Sequence, residues 1–463
     1  MPVEGSGPGS GSAQDKARDW RLGNLSTPEN IQQLQTALHA KAKGEPNFRF
    51  YSLYDKVHRR DVLEYAYACC RANQGAAGVD RERFEDIETY GVGRWLGELA
   101  DTLRKKTYRP EALRRVYVPK PNGQLRPLSI PTIRDRTVMM AATLILAPIF
   151  EADLPMEQHG YRPERSALSA VRETRELLVT GRTQIVDADL TDYFGSIPHA
   201  QLMTSVARRV VDRQILHLLK MWLEAPVDET DDQGRTRRTT RSKDSKRGIP
   251  QGSPISPLLS NLYMRRLVLG WKWLGFERRF DARIVSYADD LVICCRYQAE
   301  EALAALRQVA ARIGLTVNED KTHVCQLPQG RFDFLGYSFE RCYSEQTGRS
   351  YLGSRPSKKS IQRMVESIST QTERRTLCLD ADIVVARLNR MLRGWANYFC
   401  LGPVSKSYRA VDAHAIRRLR QWLCHKHKIS GNGKARFPEQ YLHETLGLVY
   451  LPALTRNLPW ANA

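Results

Sequence analysis

Apolar residues recur along this chain with two different periods, and each change of period marks an element. After Ser26-Thr27-Pro28-Glu29, where hydroxyls precede a proline suited to a first helical turn, Ile31, Leu34 and Leu38 form one stripe and predict a helix. A second helix is expected at Arg60 to Ala72. A third, at Thr137 to Phe150, is apolar all round and too short to cross a bilayer, so it reads as buried. Val116 to Pro131 reads as a β-hairpin turning at Asn122-Gly123, residues that tolerate the positive φ angles of a tight hairpin turn. Helical spacing returns at Ser166 to Val179 and from His199 to Trp222, the latter through Leu202, Val206, Val210 and Leu218, with a β-type run at Thr183 to Leu190 between them. Asp228 to Lys246, polar, charged and broken by glycine, is expected to be an exposed hairpin or loop.

Gly248-Ile249-Pro250-Gln251-Gly252-Ser253-Pro254 suits neither helix nor strand and predicts a turn-rich element. Ile284 to Ile293 reads as two strands joined by a tight turn carrying Asp289 and Asp290. A helix from Ala299 to Ile313, stopped by Gly314, and a short strand at Leu315 to Val317 complete the series. Strand, helix, strand, strand, helix, strand is the split βαβ, or ferredoxin-like, plan. In that plan the first strand lies beside the central hairpin, which brings Asp189 next to Asp289 and Asp290.

Two adjacent carboxylates in one turn are costly unless a cation neutralises them. A divalent ion does so, and two such ions about 3.5–4 Å apart need a further carboxylate to bridge them, for which Asp189 is the candidate. An Asp-Asp pair alone is more often a solvated turn, so other motifs have to decide.

Charge sharpens the picture. The 463 residues carry 71 Lys and Arg against 51 Asp and Glu, net +20, which favours a polyanionic partner such as nucleic acid or an anionic membrane surface. No apolar run is long enough for a membrane span. Arg355 to Lys428 holds 16 Lys or Arg and 5 Asp or Glu, net +11, more than half of the excess. Its helices are amphipathic: Ile383, Val384, Leu388, Met391, Leu392, Trp395 and Phe399 fall near one face, and Arg387, Arg390 and Arg393 stand away from it as a phosphate-tracking surface. Nine scattered cysteines without two Cys-x-x-Cys units argue against a zinc ribbon or disulfide framework and for a reducing compartment. Met1 to Ser12, rich in Gly and Ser, reads as a flexible leader rather than a signal peptide.

With these residues in view, the chain resembles bacterial group II intron reverse transcriptases, the intron-encoded maturases, over roughly residues 28 to 463. Pro119-Lys120-Pro121-Asn122-Gly123 through Arg126 looks like the family's fingers hairpin, and His159-Gly160-Tyr161-Arg162-Pro163 with Ser166-Ala167 like its next block. Val186-Asp187-Ala188-Asp189-Leu190 through Phe194, Gly248-Ile249-Pro250-Gln251-Gly252, Tyr287-Ala288-Asp289-Asp290, Gly314-Leu315 with Asn318 and Lys321, and Phe332-Asp333-Phe334-Leu335-Gly336 follow in the family's order. Leu388-Asn389 through Arg393-Gly394-Trp395-Ala396-Asn397-Tyr398-Phe399 is similar to the thumb segment of maturases.

The resemblance implies an α+β right-hand polymerase. Behind a leader at 1–25 it expects fingers and a ferredoxin-like βαββαβ palm over 26–345, a helical thumb over 355–428, and a short basic DNA-binding segment at 429–463. It implies RNA-directed DNA synthesis with two Mg2+ ions held by Asp189, Asp289 and Asp290. Lys120 and Arg126 would clamp the triphosphate, Gln251 would lie along the incoming nucleotide, and Phe194 would meet a ribose 2′-hydroxyl as a sugar gate; its other reading is palm core. Arg162, Lys321, Arg387, Arg390 and Arg393 would touch template or primer. The implied partners are an RNA template, a DNA primer, deoxynucleoside triphosphates and a group II intron RNA, in a bacterial cytoplasm, with no membrane and no stated oligomer. Thr191-Asp192-Tyr193 departs from the family's common Lys-Gly-Phe, leaving more negative charge beside Asp189. No His-Asn-His array follows Lys428, so the likeness is to members without the endonuclease domain. Other readings stay open: a splicing cofactor acting mainly by binding RNA, or a reverse transcriptase recruited to another task such as defence. An RNA-dependent RNA polymerase shares the palm plan, and Phe194 weighs against it.

Overall fold

Thr132 opens the helix on which the N-terminal part of the chain is packed. Its hydroxyl accepts from Asp135 N at 3.1 Å, and Ile133–Glu151 then runs almost wholly buried, as its apolar sequence predicts. These residues belong to a computed structural model that describes residues 25–119, 123–231, 233–344 and 347–457. Helices Glu29–Gly44 and Arg60–Ala72 pack on that central helix. A chain of buried hydrogen bonds fastens its start: Trp222 Nε1 donates to Tyr108 OH at 3.2 Å, and Tyr108 OH donates to Asp135 Oδ1 at 2.6 Å.

Among the described residues the strands are, in chain order, β1 Leu113–Pro119, β2 Leu125–Ile130, β3 Gln184–Ala188, β4 Val227–Thr230, β5 Thr236–Thr239, β6 Ala282–Tyr287, β7 Asp290–Cys295, β8 His323–Gln326, β9 Phe332–Phe334, β10 Tyr337–Tyr343 and β11 Ser350–Pro356. The chain divides into two compact units. Among the described residues, one takes those of 25–166, 191–270 and 309–316; the other takes those of 167–190, 271–308 and 317–457.

The first unit holds the sheet β2-β1-β4-β5. β1 and β2 form the expected hairpin, Pro119 opposite Leu125. Asp228 to Lys246 contains a second, β4 with β5, and β4 runs parallel to β1, a pairing between distant residues that no local pattern announces. The helix expected from His199 to Trp222 is two helices, His199–Ala207 and Arg213–Leu223. Asp212 breaks it: one carboxylate oxygen accepts from Gln214 N and Ile215 N, capping the second helix, and the other accepts from Leu53 N and Tyr54 N, each at 2.8 Å.

The second unit holds an antiparallel sheet ordered β6-β7-β3-β8. Counted as first to fourth strand of the motif, that order is second, third, first, fourth, as the split βαβ plan requires. The fourth strand is His323–Gln326, not Leu315–Val317. Val317 makes only a single bridge, to Leu190, because the turn Asn318–Thr322 intervenes. Helices Lys358–Gln371, Ala381–Tyr398 and Ser405–Lys426 share a core in which Leu388, Leu392, Leu419 and Trp422 are buried. Ile383, expected on that buried face, is 43% exposed. The C-terminal segment is not separate from these helices: Phe437, Leu442, Leu448 and Leu451 belong to the same core. Asn389 secures it, Nδ2 donating to Gly447 O and Oδ1 accepting from Val449 N, both at 2.8 Å.

Candidate active site

β3 and β7 run antiparallel with Ala188 opposite Leu291. The next residues outward, Asp189 and Asp290, continue that register on neighbouring strands. Tyr287 pairs with Asp290 across the turn Ala288-Asp289. Ala288 holds φ at 58°, the positive value a primed hairpin turn needs, which costs an alanine roughly 1 kcal/mol. The turn thus sets Asp289 at its tip and Asp290 at the first rung.

The turn Asn318–Thr322 closes the site from the β8 side. Asn318 N donates to Asp189 O at 2.8 Å, and Asn318 Nδ2 to Asp189 Oδ2 at 3.3 Å. Lys321 Nζ reaches the same Oδ2 at 2.9 Å, so a residue expected at template or primer stands against the carboxylate. Burial, followed by the like charges of Asp289, Asp189 and Asp187, pushes the Asp290 carboxyl up to about 6, with Lys321 opposing. Asp290 remains solvent-accessible, so it lies among crowded protein atoms yet within reach of ions. Asp187, on the same face of β3 as Asp189, is also pushed up to about 6, by burial and by Asp333 and Asp189, while His323 at 3.5 Å opposes the rise. Sequence reasoning missed Asp187, although the spacing of Asp187 and Asp189 at period two was a signal for it.

Among the described residues no three His, Cys, Asp or Glu side chains close into a cage for a metal ion. The carboxylates form an open, mutually repelling set of hard oxygen donors. That suits magnesium, which keeps several waters and is held by one or two carboxylates together with substrate phosphates.

In the first unit Phe194 is half-buried, its ring edge-on to the buried ring of Tyr193 at 5.6 Å. Its carbonyl accepts from Ile249 N at 2.8 Å, so its backbone abuts the Gly248–Gln251 loop. Gly248, at φ 94°, passes so close that a Cβ would lie 3.3 Å from Gly195 O, and Gly252, at φ 106°, would meet Ser129 O at 3.1 Å. Gln251 O accepts from Ser129 N at 2.7 Å, fastening the loop to β2. Arg126 is exposed on β2 opposite Val118; Lys120 lies outside the described residues.

Arg162, expected at template or primer, is turned into the protein. Its guanidinium is buried on Glu151 at 2.8 Å and also donates to the carbonyls of Pro155, Gln158 and Leu154, so every donor is committed inside the protein. Arg387, Arg390 and Arg393 are exposed and have no side-chain partner among the described residues. No helix among those residues is long and apolar enough to cross a membrane.

Comparison with known proteins agrees with this geometry. Residues 118–339 match the family described as reverse transcriptase (RNA-dependent DNA polymerase), and residues 361–441 the group II intron, maturase-specific domain. Protein YkfC of Escherichia coli K12 is 30% identical over 349 residues, 67% of this chain and 88% of that protein. Group II intron-encoded protein LtrA of Lactococcus lactis subsp. cremoris is 29% identical over 239 residues, 51% of this chain and 38% of LtrA. A 91 kDa protein in a cob intron of Schizosaccharomyces pombe is 23% identical over 445 residues, 80% of this chain and 53% of its own length. The chain therefore spans most of the first relative and about a third to a half of the other two. With the paired acids on adjoining strands, both domain matches and a relative covered over most of its length, this chain belongs to the group II intron reverse transcriptase family, RNA-directed DNA polymerases that carry a maturase domain.

Proposed function

We propose that the protein extends a DNA primer on an RNA template using two Mg2+ ions held by Asp189, Asp289 and Asp290, and that it binds group II intron RNA to assist splicing. The observation that carries the catalytic part is the register of Asp189 with Asp290 at the end of the β3/β7 ladder. When bound, such ions lower the pKa of the primer 3′-hydroxyl and neutralise the leaving pyrophosphate. Lys321 holds Asp189 in a 2.9 Å ion pair that an arriving ion would displace. Arg126, by its fork, and Lys120, as a point charge, hold the triphosphate. Gln251 lies along the nucleotide, and Phe194 excludes a 2′-hydroxyl. The sheet β2-β1-β4-β5 serves as fingers, β6-β7-β3-β8 as palm and the helices from Lys358 as thumb, whose Arg387, Arg390 and Arg393 take RNA phosphates. The setting is a bacterial cytoplasm.

The test is Asp289→Ala, with primer extension on an RNA template in Mg2+ and RNA binding measured side by side. Extension should be abolished while RNA affinity changes little. Activity within about tenfold of wild type, a barrier change under about 1.4 kcal/mol, would remove Asp289 from the metal site.

A further inference from the structure

The contacts assigned to Arg126 and Phe194 leave one cavity of the first unit unexplained. The sheet β2-β1-β4-β5 turns one face to a cleft of about 430 Å³ that neither residue lines. Alternate positions of neighbouring strands point into it, Arg115 and Tyr117 of β1, Glu229 of β4 and Arg237 of β5, with Arg241 just beyond the strand end. The guanidiniums of Arg115, Arg237 and Arg241 have no carboxylate or hydrogen-bond partner among the described residues. Arg238 shows the contrast: outside the cleft lining, it is spent on Asp228 at 2.7 and 2.8 Å. Leu223, Ala225 and Val227 give the cleft an apolar floor, and Gln251 stands at its edge. Three uncommitted guanidiniums over an apolar floor suit a chain of phosphates bearing flat, weakly polar bases, and the volume is that of a small-ligand site.

We propose that this cleft holds unpaired RNA of the template strand before it is copied, its phosphates on Arg115, Arg237 and Arg241 and a base against the apolar floor. The choice of strand rests on the reverse-transcriptase reading; the polyanion chemistry of the cleft does not. The β4–β5 hairpin is then a template-binding element rather than a solvated loop.

The test compares the full chain binding an RNA–DNA duplex that is blunt with the same duplex bearing a 5′ RNA overhang, by fluorescence anisotropy, without nucleotides. Wild type should prefer the overhang. Arg237→Gln combined with Arg241→Gln should remove that preference and lower the salt slope for the overhang duplex by roughly 0.7 per lost contact. Arg238→Gln should keep both. Matching thermal melts show that the variants are folded, since all three side chains are exposed. The proposal is overturned if wild type shows no overhang preference, or if the double variant keeps it or weakens both duplexes equally. A raised KM for deoxynucleotide with the preference intact would assign the cleft to the incoming triphosphate and also overturn it. Failure of the polymerase reading would show separately, as wild type unable to extend a primer.

Discussion

Lys321 Nζ lies 2.9 Å from Asp189 Oδ2, so the carboxylate assigned to metal binding already has an ammonium partner. A partly exposed pair of this kind is worth about 0.2–1 kcal/mol, and an arriving divalent ion competes with it. Lys321→Gln should lower the half-saturating Mg2+ concentration in primer extension by up to about fivefold, whatever it does to the maximal rate. An unchanged Mg2+ requirement would mean that the pair does not compete with the ion, and a higher one that the lysine helps it bind.

Burial, followed by the neighbouring acids, pushes the Asp290 carboxyl up to about 6 from an ordinary value of 3.8. Between these values the folded state binds more protons than the unfolded chain, so the contribution of Asp290 to stability falls as pH rises from about 4 to about 6 and stays low above that. Asp290→Asn should therefore melt higher than wild type at pH 8, with the gap closing toward pH 4, while synthesis is lost. A gap constant with pH would show that the cost of ionising Asp290 among buried groups and like charges is not its cause.

Phe194 is half-buried beside the Gly248–Gln251 loop. Phe194→Val should raise relative kcat/KM for ribonucleotides over deoxynucleotides, because a steric gate acts on that ratio. A core role would instead cost about 2–4 kcal/mol and depress both substrates together. Melting temperature and both incorporation rates on one preparation decide between them.

Arg162→Met leaves Glu151 buried without its partner and should cost about 3–5 kcal/mol in chemical denaturation. Template affinity, measured well below the melting point, should not change. Adding Glu151→Met should recover much of the loss, since an apolar pair of similar volume often replaces a buried ion pair at little cost.

Changing Arg387, Arg390 and Arg393 together to Gln should weaken RNA binding evenly across sequences and reduce the slope of log affinity against log salt by about 0.7–0.9 per lost phosphate contact. An unchanged slope would mean that this face is only solvated.

The sheet order and the meeting of Asp189 with Asp290 are legible in the sequence because period-two runs in that chain order leave few topologies open. The errors arise where side chains capture backbone groups. The apolar stripe from His199 to Trp222 runs straight through Asp212, whose carboxylate holds four amides and ends one helix to begin another. Leu315 and Val317 have the composition of a strand, but the Asn318–Thr322 turn moves the pairing on to β8. Arg162 looks like any phosphate-binding arginine in sequence, since nothing local marks Glu151, eleven residues earlier, as its buried partner. The β1/β4 pairing, and the cleft it builds, joins segments more than a hundred residues apart and has no local signature at all.

Asn389 grips Gly447 and Val449 from the helix that displays the three unpartnered arginines. The segment matching the maturase-specific domain ends at residue 441, just before Leu442, Leu448 and Leu451 enter the core shared with Leu388 and Leu392. A fragment cut at the edge of that match would expose the apolar side of the arginine helix and lose the backbone groups that Asn389 binds. The smallest piece able to fold around this basic surface therefore extends at least to Leu451, and a tag or fusion joined upstream of that residue would unseat the surface it was meant to report on.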